Sequence, residues 1–76
     1  MILEPEQYYC EKSGRRDIIK LLHKNDERNE WTFDFIYGWA GTASIRESDL
    51  IADFEQISLE QVQQKILNYK PRIGAL

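Results

Sequence analysis

Between positions 31 and 39 every second residue is aromatic: Trp31, Phe33, Phe35, Tyr37 and Trp39 alternate with Thr32, Asp34, Ile36 and Gly38 in the run WTFDFIYGW. Side chains in a β-strand alternate faces with a period of two, whereas a helix would scatter these rings around its circumference. The run predicts a strand with a row of rings on one face. The segment Asn25-Asp26-Glu27-Arg28-Asn29 reads as the turn of a hairpin joining it to a strand in RRDIIKLLHK, where Ile19, Leu21 and His23 alternate. The same stretch also fits a helix capped by Asp17, with Ile18, Leu21 and Leu22 on one side. That alternative gives an α+β sandwich with a helix at 15–25, and periodicity does not separate the two over so short a run.

Tyr8 to Lys12, closed by Ser13-Gly14, supplies a first strand. GWAGTAS, residues 38–44, has the small-residue composition of a hairpin loop. ASIRESDLIADFEQI then reads as a strand, a tight turn around Ser48-Asp49 and a short strand carrying Phe54 and Ile57. Ser58 and Gln61 form a capping-box pattern, with Ile57 and Val62 at the two positions of a hydrophobic staple. Leu59, Val62, Ile66 and Tyr69 follow as one apolar stripe, and Pro71 marks the stop of a helix over 58–70.

The 76 residues allow a single domain, 1–76, in which a small core must be built largely from aromatic side chains. Hydrophobic residues at 42% and charged residues at 30% are the proportions of a folded globular chain. The lone cysteine, Cys10, has no partner for an intramolecular disulfide, which points to a reducing, cytoplasmic setting. MILEPEQYY lacks the basic start and long apolar stretch of a signal peptide, and no apolar run is long enough to cross a bilayer. Net charge is −3, and no basic pole stands out, so general electrostatic binding of nucleic acid is disfavoured.

The order of elements, from Tyr8-Tyr9 through the hairpin DIIKLLHKNDERNEWTFDFIY to IRESDLIADFEQI, resembles the layout of the SH3-like small β-barrels. This superfamily includes Tudor-like and KOW-like modules. The resemblance covers about residues 6–57 and implies a mainly β, five-stranded barrel with the C-terminal helix appended. It is a likeness of layout, and layout alone does not assign a function. The chain lacks the ALYDY-type segment, tandem Trp pair and Pro-containing closing segment of polyproline-binding SH3 domains. It also lacks the leading Lys/Arg-Gly and the βαββαβ order of an RNA-recognition motif.

One cysteine and one histidine cannot supply a tetrahedral Cys/His zinc set, so no metal or other cofactor is expected. Cys10 and His23 are the one nucleophile-base combination of the usual kind, and the sequence does not place them together, so no enzymatic activity is expected. The acidic segment around Asp49 and Asp53, together with Trp39 in its glycine-flanked loop, makes a candidate surface for another protein carrying basic groups. The expected function is thus a protein-binding adaptor or regulatory module, either monomeric or a weak homodimer through the C-terminal helix. The alternative is a barrel that binds single-stranded nucleic acid by stacking, with Arg15, Arg16, Lys20 and Lys24 as its charged contacts.

Overall fold

The computed structural model describes residues 3–13, 17–37 and 41–74, with side chains of the last helix described through Asn68. Trp39, Arg15 and Arg16 lie outside the described residues. The elements run β1 (Tyr8–Glu11), β2 (Ile18–Asn25), β3 (Glu30–Tyr37), β4 (Thr42–Arg46), α1 (Glu47–Asp53), β5 (Phe54–Ile57) and α2 (Leu59–Gly74). All strand pairs are antiparallel, in a single five-stranded sheet of order β4-β3-β2-β1-β5.

The segment that fits either state is a strand. β2 forms the hairpin with β3 across the turn at 26–29, and the helical alternative at 15–25 is excluded. The sheet, however, does not close into a barrel: β4 and β5 remain its two edges. In a flat sheet those edges would stand four strand spacings apart, about 19 Å at roughly 4.8 Å each. The seven residues of α1 that connect them span only about 10 Å at 1.5 Å per residue, so the sheet must curl.

Two bulges decide which side chains face which way. Ile18 and Ile19 oppose Tyr37 and Phe35, which leaves Ile36 as an extra residue on β3. The aromatic row is thereby split. Trp31 and Phe33 are buried, with Phe35 packed beside them, in a cluster with Tyr9, Ile19, Leu21, Leu50 and Phe54. Phe33 and Phe35 meet edge to face with ring centroids 5.1 Å apart. Tyr37 instead packs with a second cluster made by Cys10, Ile18, Ile57 and Val62. Because Tyr9 and Cys10, like Ile18 and Ile19, are consecutive strand residues, the two clusters occupy opposite faces of the sheet. At the second bulge Leu21 and His23 oppose Phe33 and Thr32, leaving Leu22 as the extra residue. This shift sets Lys24 directly opposite Trp31 and on its face.

Four local expectations change. The tight turn at Ser48-Asp49 is a two-turn helix, α1, because Leu50 finds a fully buried seat in the first cluster and holds the segment helical. Its neighbour β4 begins at Thr42, inside the stretch expected as loop. The last helix continues through Pro71 to Gly74: a proline removes one backbone hydrogen bond, but its fixed φ is itself helical. The capping box is formed, with Ser58 N donating to Gln61 Oε1 at 2.9 Å and Gln61 N donating to Ser58 Oγ at 3.1 Å. Val62 and Ile66 face the sheet, but Leu59 is exposed and does not belong to the buried stripe. Tyr69 falls beyond the described side chains.

Candidate functional site

Glu47 joins three elements. Its backbone N–H, at the start of α1, donates to the carbonyl of Asn29 in the β2–β3 turn at 2.8 Å. Its Oε2 accepts from Trp31 Nε1 at 2.9 Å and lies 3.1 Å from Lys24 Nζ. The Trp31 hydrogen bond, followed by the Lys24 contact, holds the Glu47 carboxyl below the usual carboxylate range. The turn is braced as well, since Asn25 Oδ1 accepts from the backbone of Glu27 at 3.1 Å and of Arg28 at 3.3 Å.

Between this turn and α1 lies a hollow of about 380 Å³ lined by Arg28, Asn29, Arg46, Glu47, Ser48 and Ile51. Ile51 also borders a second hollow of about 450 Å³, with Lys12, Phe54, Glu55 and Gln56. Leu50 pins α1 to the core, so the neighbouring Ile51 is turned outward and stands 44% exposed between the two depressions. Asp49 and Asp53 are exposed on the same helix, one turn apart. Neither carboxylate has an ion-pair or hydrogen-bond partner among the described residues, and Asp53 sits at the end of α1 where negative charge is disfavoured. Lys12 tempers that end: its Nζ donates to the carbonyls of Ile51 and Ala52 at 3.4 Å each.

The residues singled out from sequence thus separate into groups. Asp49 and Asp53 come together on α1. Lys20 is paired with Glu6 at 2.8 Å, which raises its ammonium above the usual lysine range, and it lies 5.9 Å from the centroid of the Tyr8 ring. Lys24 is engaged by Glu47 and, at 3.8 Å, by Asp26. Cys10 is buried on β1 beside Ile18, whereas His23 is exposed near the far end of β2, about 17 Å along the strand at roughly 3.3 Å per residue. Burial pushes the Cys10 thiol up, away from the reactive thiolate. Among the described residues no group of three His, Cys, Asp or Glu side chains is placed to hold a metal ion. No helix among them is long and apolar enough to cross a membrane.

Sequence reasoning missed Ile51, Arg28, Arg46 and Glu47. The acids Glu47 and Asp49 at the head of the segment are a short helix signal, but nothing in the spacing of Leu50 and Ile51 tells which of the two is buried. No protein-family model, curated protein or solved structure matches the chain.

Proposed function

We propose that this chain is a small protein-binding module of the SH3-like kind, acting as an adaptor or regulatory element without catalytic activity, whose contact face is built on α1. The observation that carries the proposal is Ile51: a large apolar side chain held outward between two hollows on a helix whose other large apolar residue is fully buried. An apolar anchor surrounded by polar groups is the usual composition of a protein contact. Asp49 and Asp53 beside it form a like-charged pair one turn apart, an arrangement that a cationic group on the partner relieves. The strand order and the curl imposed by α1 support an open member of the SH3-like superfamily.

Trp39 belongs to the same proposal on sequence grounds, as a second apolar contact. Retention of partners from source-cell lysate is the test, comparing wild type with Ile51→Ser, with Asp49→Asn/Asp53→Asn and with Trp39→Ala. Each variant is first checked for an unchanged circular dichroism spectrum and thermal midpoint. A partner held by the wild type and lost with Ile51→Ser and the double Asn variant supports the α1 face. Equal retention by all four proteins removes it. Trp39→Ala is expected to weaken binding by more than about 2 kcal/mol without unfolding the chain.

A further inference from the structure

We infer that the hollow between the β2–β3 turn and α1 is a carboxylate-binding subsite that takes an acidic side chain of a peptide segment. Two arginines line it, Arg28 from the turn and Arg46 from the end of β4; both are exposed, and neither has an ion-pair or hydrogen-bond acceptor for its side chain among the described residues. The one carboxylate in the lining, Glu47, has its Oε2 already committed to Trp31 and Lys24, so its charge is locally offset. Asn29 and Ser48 add side chains able to donate further hydrogen bonds.

The walls are set before any ligand arrives. The Glu47 N–H to Asn29 carbonyl bond ties α1 to the turn, the Asn25 side chain holds the turn, and Trp31 anchors Glu47 from the core. Prior ordering of this kind lowers the entropic cost of binding. At about 380 Å³ the hollow has room for an acidic side chain. Guanidinium and carboxylate are matched partners, and Ile51 at the rim supplies an apolar contact for the residue beside the acid. A peptide is favoured over a polynucleotide, because a chain of net charge −3 repels an extended polyanion while two local arginines suffice for a single carboxylate.

The inference rests on the protein-binding reading only for the source of the carboxylate. Its probe is the blocked peptide acetyl-Glu-Leu-Glu-Leu-amide, titrated at low salt into the full chain labelled with nitrogen-15. The expected result is saturable movement of the Arg28, Asn29, Arg46, Ser48 and Ile51 amides. Arg28→Gln and Arg46→Gln should each weaken binding by about tenfold, and the peptide with Gln in place of Glu should fail to bind. No movement of these amides, or equal binding of the Gln peptide, overturns the assignment. Tighter binding of inorganic phosphate makes the hollow a general oxyanion site, and preference for a single-stranded oligonucleotide makes it a nucleic-acid contact; either overturns the peptide assignment. Asp49→Asn/Asp53→Asn should leave peptide binding intact or stronger, so loss of partner retention in that variant and loss of peptide binding in the arginine variants report separately.

Discussion

Glu47 illustrates how one side chain acquires its role from residues far away in sequence. Its carboxyl is held low by Trp31 and Lys24 in the folded state, while in the unfolded chain it returns to the ordinary carboxylate range. A carboxyl whose folded value is depressed stabilises the fold at pH above the unfolded value and loses that contribution as pH falls through the folded one. Wild type should therefore exceed Glu47→Gln in thermal midpoint at neutral pH, and the gap should close as pH drops below about 4, followed by thermal melts across that range. The aromatic alternation made Trp31 legible as a core residue. Its polar partner was not legible, because the bulge at Leu22 places Lys24 opposite Trp31, and a bulge has no signature in a period-two pattern.

Among the elements, α1 depends on a single residue. Leu50 is its one buried side chain, and Arg46 at its N-cap makes no side-chain hydrogen bond to the helix. Leu50→Ala should cost about 2–5 kcal/mol in denaturant unfolding, against which most surface changes on α1 would be small. The second helix has the cap that α1 lacks, and Ser58→Ala should cost about 1 kcal/mol in the same assay. The capping box was readable because its two residues are three positions apart and their bonds are local. The extent of α2 beyond Pro71 was not, since a proline disfavours helix in the residue before it without forbidding it. The choice of helix over turn at 47–53 depended on the fully buried seat that Tyr9, Ile19 and Phe54 help to form for Leu50, a fact about the assembled core.

Across the whole molecule, two separate clusters share one sheet, and Cys10 lies in the cluster that α2 covers. Its thiol is a reporter of that cover. Reaction with a thiol reagent should be slow in the native protein and faster in Val62→Ala, in which α2 is held less firmly, with the rate followed by absorbance under native conditions. Loss of α2 contact should leave the Trp31–Glu47 bond intact, since that bond belongs to the opposite face. The mainly β character was legible in the alternation of β2 and β3. The open edges were not, because closure depends on whether β4 and β5 pair, and their exposed residues look the same either way.

The partnership of β1 with β5 sets an order of events during synthesis. Tyr8 lies opposite Ile57 and Glu11 opposite Phe54, so β1 receives its second neighbour only when β5 has left the ribosome. Until then a nascent sheet of β1 to β4 carries an unpaired edge beside Tyr9 and Cys10, the kind of edge through which incomplete chains associate. Pairing across so long a loop comes late for reasons of chain entropy. Ile57→Ala should accordingly accelerate unfolding much more than it slows folding in stopped-flow measurements, and the converse would place the β1–β5 pairing in the folding nucleus. A cell making this protein has its greatest exposure to misassembly in the interval between the fourth strand and the fifth.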